Sequence, residues 1–190
     1  MNTQSIKLGI TGTKRLLMHS GRLADPLDPI SRDLARLTAK RPKTEADHLM
    51  IAKTEWYGSL WLSGGVPCIP AEALMAVFRR AAKTVRRGQL AAAGLVVQED
   101  ALLIYDGPRD VDELWESGRY SFRAAVRVGS SKTMRTRPRF ENWRTEFTAH
   151  FLPTVLDLDQ VLEVFSIAGV LRGLGDWVPE NGTFSVERLE

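Results

Sequence analysis

The stretch from Leu156 to Val186 constrains the fold more than any other, because helix, glycine-rich loop and strand follow one another closely. Asp157 stands as an N-cap with Gln160 three residues on, the spacing of a capping box, and Leu156 and Val161 flank the pair as a hydrophobic staple. Leu158, Val161, Leu162, Phe165 and Ala168 then recur at helical spacing. Gly173-Leu174-Gly175-Asp176-Trp177 follows, then Pro179 and a second turn at Asn181-Gly182. Glycines this close together permit a sharp turn or a close approach of two backbones. Thr183 to Glu187 ends the chain as a strand with Phe184 and Val186 on one face. A buried helix that returns through a glycine loop to a last strand is expected to close a small α+β domain.

The rest of the chain fits around that unit. Ile6, Leu8 and Ile10 alternate with Lys7, Gly9 and Thr11, a strand with one buried face, which Leu16-Leu17-Met18 extends. Ser20-Gly21, Asp25-Pro26 and Asp28-Pro29 mark a loop. Ser31 is expected to cap a short basic helix through Thr38. Thr44 with Asp47 forms a capping box for a second helix, with Leu49, Ala52, Trp56 and Leu60 on one face and Lys40-Arg41-Pro42-Lys43 as a basic hinge before it. Pro70 opens a helix whose apolar face is Leu74, Val77, Phe78, Ala81, Ala82 and Val85, and Gly88 is expected to end it. Gly94–Val97 and Ala101–Tyr105 read as two strands with a tight turn. Residues 106–118 are acidic and turn-rich, Phe122–Val128 is a strand or hairpin arm, and Gly129–Pro138 is a polar, basic loop. Trp143 to Phe151 alternates as a long amphipathic strand.

Without its insertions the chain runs strand 6–17, helix 70–87, strands 94–105, strand 143–152, helix 157–170, strand 182–188. That order is βαββαβ, so the fold class is α+β with a ferredoxin-like or RRM-like core. Residues 1–190 are expected to form a single RRM-like domain, with a helical insertion over 31–62 and a basic hairpin, thumb-like insertion over 106–142. A hydrophobic content of 44% can supply a core and excludes global disorder. A single cysteine, Cys68, excludes an internal disulfide and a cysteine-only zinc site. No apolar run reaches the length of a membrane span, and the N-terminus lacks an apolar signal core, so a cytoplasmic protein without membrane contact is expected.

Net charge is only +3, so its distribution says more than its total. Between Arg119 and Arg144 stand eight basic residues against Glu141 alone, interleaved with Ser130, Ser131 and Thr133 and flanked by Tyr120, Phe140 and Trp143. Phosphates are held mainly by Arg and Lys, with help from hydroxyls, and aromatic rings offer unpaired bases a stacking surface. A solvated loop would ordinarily mix its signs. The tract therefore points to single-stranded nucleic acid, RNA in the first place and single-stranded DNA in the second. The outer face of helix 70–87 adds Arg79, Arg80, Lys83, Arg86 and Arg87. The histidines, His19, His48 and His150, have no metal spacing with Cys68 or with each other. His19 with Asp25 and Asp28 would be the residues of an RNA-cleaving site, beside the plainer reading of a polar surface histidine and Asp-Pro turns. Gly129-Ser130-Ser131-Lys132-Thr133 lacks the glycines of a phosphate-binding loop. No catalytic residue, metal or cofactor is assigned.

Gly65-Val66-Pro67-Cys68-Ile69-Pro70-Ala71-Glu72-Ala73-Leu74 before a basic helix resembles the entry to the first core helix of the RAMP superfamily. These are the repeat-associated proteins that form the backbone of multi-subunit CRISPR effectors of antiviral defence. Gly173-Leu174-Gly175-Asp176-Trp177 is similar to the C-terminal glycine-rich loop of that superfamily, and the basic segment looks like its thumb. The stretch from Leu16 to Pro26 also resembles small phage and prophage proteins. The resemblance implies an oligomer of copies along an RNA, guide RNA included, each thumb clasping its neighbour's stretch, with other effector subunits as partners. In that reading Arg123, Arg127, Lys132, Arg135, Arg137 and Arg139 contact phosphates, and Arg15 and Arg22 support the backbone path. Two rivals stand beside it: a phage-encoded protein that mimics and inhibits a host RNA-guided complex, and an endoribonuclease of the same superfamily.

Overall fold

The computed structural model describes residues 3–86, 88 and 93–189. The chain parts into two compact units, Met1–Leu16 with Leu62–Gly107 and Phe140–Glu190, and Leu17–Trp61 with Pro108–Arg139.

In the first unit, strands β1 (Gln4–Gly12), β3 (Leu62–Ser63), β4 (Val66–Ile69), β5 (Leu95–Val97), β6 (Ala101–Tyr105), β9 (Trp143–Phe151) and β10 (Phe184–Arg188) make one antiparallel sheet. Its order is β10-β1-β9-β6-β4-β3, with β5 also on β9. Helices α3 (Ala71–Thr84) and α5 (Leu158–Ile167) supply the two crossovers. The strand order is that of the ferredoxin-like fold, so the α+β, βαββαβ reading holds. Period-two alternation sends Ile6, Leu8 and Ile10 to the buried face, where Phe147, Ala149 and Phe151 of β9 join them. Phe165 of α5 meets Phe78 of α3 at 4.7 Å between ring centroids and Phe147 at 5.3 Å.

The closing segment folds by close backbone approach. The Asp157–Gln160 capping box is present. A Cβ on Gly169 would lie 2.1 Å from the Phe184 carbonyl oxygen, so only glycine lets the π-helical turn Ala168–Arg172 sit against β10. Gly182 takes φ +70°, and a Cβ there would lie 1.7 Å from the Leu174 carbonyl oxygen. The amide of Leu174 donates to Gly182 O and that of Gly182 to Arg15 O, both at 2.8 Å.

Three details of this unit depart from the sequence reading. The first strand ends at Gly12, where the Trp143 indole covers the backbone and donates to Lys14 O at 2.9 Å; Leu16–Leu17 joins another sheet. Residues 95–105 are not a hairpin: β5 and β6 both pair with β9 as one interrupted strand, and Gln98–Asp100 bulges between them. Helix α3 stops at Thr84 with Arg86 in the left-handed region at φ 60°, ahead of Gly88. Arg87 lies outside the described residues.

In the second unit, β2 (Leu16–Leu17), β7 (Ser121–Val128) and β8 (Ser131–Phe140) form a small sheet of order β2-β8-β7. Helices α1 (Pro29–Ala39), α2 (Glu45–Ser59) and α4 (Val111–Glu116) complete it. The Thr44–Asp47 capping box starts α2 as expected. Asp28, not Ser31, caps α1: its carboxylate accepts from the amides of Ile30 and Ser31, and Pro29 fills the first helical position. Leu49 is exposed, while Ala52, Trp56 and Leu60 are buried. Trp56 stacks near Tyr57 and Trp115 at 5.0 and 5.4 Å, and its Nε1–H donates to Tyr120 O at 2.8 Å. The acidic segment is partly helical, because Asp110 caps α4 through the amides of Asp112 and Glu113. The expected basic loop over 129–138 is mostly strand: only Gly129–Ser130 turns, and β8 pairs with β7 from Ser131 to Pro138.

Candidate nucleic-acid interface

The hairpin β7–β8 sorts the basic tract by face. Cross-strand partners in an antiparallel pair share a face. Arg127 stands opposite Lys132, Ala125 opposite Met134 and Arg123 opposite Thr136. All but Thr136 are exposed. Arg123, Arg127 and Lys132 carry no ion pair among the described residues, and like charges directly opposite destabilise a hairpin unless an anion joins them.

The other face serves the protein. Glu55 of α2 is 2 % exposed. Its Oε1 accepts from Arg137 Nη1 at 3.0 Å and Arg135 Nη1 at 3.2 Å, and its Oε2 accepts from the Thr136 amide at 2.8 Å. A buried carboxylate needs such partners, because desolvation would otherwise outweigh any contact it makes. Arg137, which the sequence suggested as a phosphate contact, is buried and held by Glu55. Arg135 is shared, with a third of its side chain exposed. Arg139 Nη2 donates to Arg119 O at 3.0 Å.

The other expected contacts are dispersed. In the first unit, Arg15 Nε donates to Asn181 Oδ1 at 2.8 Å, which ties it to the glycine loop. Arg79, Arg80 and Lys83 are exposed on α3. Arg144, counted with the tract, belongs to β9 and pairs with Glu187 at 3.5 Å. In the second unit, Arg22 pairs with Asp28 at 2.8 Å. That hydrogen bond, ahead of the two capping amides, holds the Asp28 carboxyl below its ordinary value. Asp28 is thus occupied as cap and ion-pair partner, while Asp25 accepts from the Leu27 amide in its own turn. Among the described residues no three His, Cys, Asp or Glu side chains cluster as metal ligands. Cys68 is buried, and burial followed by the Asp100 charge pushes its thiol up to about 11. No helix among the described residues is long and apolar enough to cross a membrane.

Sequence reasoning missed the grouping of Arg41, Lys43 and His48 with this hairpin face around one cleft. The basic hinge was visible, but its neighbour lies some 80 to 90 residues away in the chain, about which no local pattern informs.

The fold and this basic hairpin define an α+β protein of the ferredoxin-like class with an insertion unit. Neither a protein-family model nor a curated protein matches the sequence. Among solved structures, the chain is similar to one in the cryo-EM structure of the Type III-B Cmr-β bound to cognate target RNA, at 10% identity and a TM-score of 0.53. The match covers 99% of this chain and 59% of that one. A second similar structure is Cmr6 from Pyrococcus furiosus, at 11% identity and a TM-score of 0.41, covering 97% of this chain and 99% of that one. At 10% identity the likeness to the first is one of fold alone.

Proposed function

We propose that this protein is a RAMP-type subunit that binds single-stranded RNA through the hairpin face of Arg123, Arg127 and Lys132, in several copies along the strand. The observation that carries the reading is the unpaired face itself. Three cations project together, two of them directly opposite each other, while the Glu55 carboxylate of α2 is engaged by Arg135 and Arg137. The shared fold with a chain of an RNA-bound Cmr assembly supports the choice of RNA and of effector subunits as partners. Arg135 and Arg139, half-buried, contribute from the hairpin's other face, and Arg79, Arg80 and Lys83 add a second basic patch. Arg15 and Arg22 act indirectly, by fixing the backbone around Asn181 and Asp28. The site of action is the cytoplasm.

Size-exclusion chromatography of protein purified from cells tests the reading. The expected species is large and rich in nucleic acid, and ribonuclease collapses it. A species insensitive to ribonuclease but lost on deoxyribonuclease would replace RNA with single-stranded DNA. A nucleic-acid-free monomer that also fails to bind any single strand would overturn the proposal.

A further inference from the structure

The second unit holds a cleft of about 410 Å³ between the α1–α2 hinge, one side of α2 and the exposed hairpin face. That volume lies in the range of small-ligand sites, about 300–1,000 Å³. Four cations stand around it: Arg41 and Lys43 from the hinge, Arg123 and Lys132 from the hairpin. Among the described residues, the hinge pair is held by backbone carbonyls alone. Arg41 Nη1 donates to Thr38 O and Lys40 O at 2.7 Å, and Lys43 Nζ to Lys40 O at 3.0 Å. One carboxylate, Glu55, lines the cleft and is committed to Arg135 and Arg137; that of Asp47, outside the lining, is committed to Lys40 and Thr44. Excess positive charge thus gathers around a concave space, which is what an anionic ligand requires. The wall of the cleft is apolar where Ile51, Ala52 and Met134 line it, and Met134 is 46 % exposed.

We propose that this cleft is a one-nucleotide subsite for the bound single strand. A phosphate sits among Arg41, Lys43, Arg123 and Lys132, and its base lies against Ile51 and Met134. The polarizable thioether suits an aromatic ring without selecting one base, so the subsite is tolerant of sequence. It rests on the single-strand reading above, and it adds the hinge to a surface otherwise confined to the hairpin.

The test is fluorescence anisotropy of a labelled single-stranded RNA over a salt series. Each phosphate contact contributes roughly 0.7 to the slope of log affinity against log salt for single strands. With half of the cations around that one phosphate removed, Arg41→Ala/Lys43→Ala is expected to flatten the slope by up to about 0.7 and weaken binding. Met134→Ala is expected to weaken binding about fivefold, near 1 kcal/mol, with the slope unchanged. Both substitutions alter exposed or half-exposed side chains, and an unchanged thermal midpoint checks the fold. Absence of binding by the wild-type protein refutes the single-strand reading itself. Wild-type binding whose slope and affinity survive Arg41→Ala/Lys43→Ala, while Arg127→Ala flattens it, overturns the subsite alone. An unchanged affinity in Met134→Ala overturns the base contact.

Discussion

On the open face of the first unit's sheet, Lys7 pairs with Glu146 at 3.1 Å and Arg144 with Glu187 at 3.5 Å. On the hairpin of the second unit, Arg127 faces Lys132 with no carboxylate paired to either among the described residues. The open sheet face also lacks Phe, Tyr and Trp among the described strand residues; Val96, Leu102 and Ile104 are exposed there instead. RRM domains read bases by stacking them on sheet aromatics. This sheet has the topology of such a platform without its chemistry, so the proposed binding surface lies on the other unit.

The interiors differ as well. The first unit is held by rings and close backbones, the second by a buried ion cluster and a capped helix pair. Two truncations sharpen that contrast most. Glu55→Ala leaves Arg137 buried without its carboxylate, a loss of about 3–5 kcal/mol. Phe165→Ala opens a cavity between Phe78 and Phe147, also about 3–5 kcal/mol. Amide exchange resolved by peptide should report the first loss in residues 17–61 and 108–139 and the second in the ferredoxin-like core. Protection lost across the whole chain in both variants would dissolve the distinction between the units. Gly182→Ala comes next, at about 3 kcal/mol, from a left-handed φ combined with a clash against Leu174 O; chemical denaturation measures it. Trp56→Phe keeps most of the ring packing but removes one of two donors to Tyr120 O, which still accepts from the Arg139 amide at 2.9 Å, a loss of about 1 kcal/mol by the same measurement.

The smallest effect is one of pH. The hydrogen bond from Lys40, then those from Thr44, hold the Asp47 carboxyl at about 2 against an ordinary 3.8. The folded value lies below the unfolded one, so the contribution is complete above about pH 4 and is lost as pH falls through about 2. An acid titration followed by circular dichroism should show this step in the wild type and not in Asp47→Asn. Identical titrations would remove the cap from the account of the helix pair.

Much of the first unit was legible because its signals are local and periodic. The capping box at Asp157, the apolar face of α3 and the alternation of β1 and β9 each lie within one element. What the sequence concealed depended on partners far along the chain. Leu16 and Leu17 look like more of β1 until Trp143 caps Gly12 and the chain turns away. The interruption at Gln98–Asp100 resembles a turn because only pairing with β9 distinguishes a bulge from a hairpin. Counting charge along Arg119–Arg144 treated eight cations as one surface. Burial of Glu55 takes Arg137 inward, pairing with Glu187 assigns Arg144 to the other unit, and the strand period puts Arg135 on the opposite face from Lys132. The hinge Lys40–Lys43 was visible as charge, but not as one wall of a cleft.

The central claim is that the hairpin face binds the strand, and a salt titration of Arg123→Ala/Arg127→Ala/Lys132→Ala beside the wild type tests it most directly. The account predicts salt-dependent binding of single-stranded RNA by the wild type, with the slope of log affinity against log salt shallower in the triple variant by up to about 1.4, for the subsite phosphate and the one at Arg127. A triple variant that keeps the wild-type slope and affinity would contradict it.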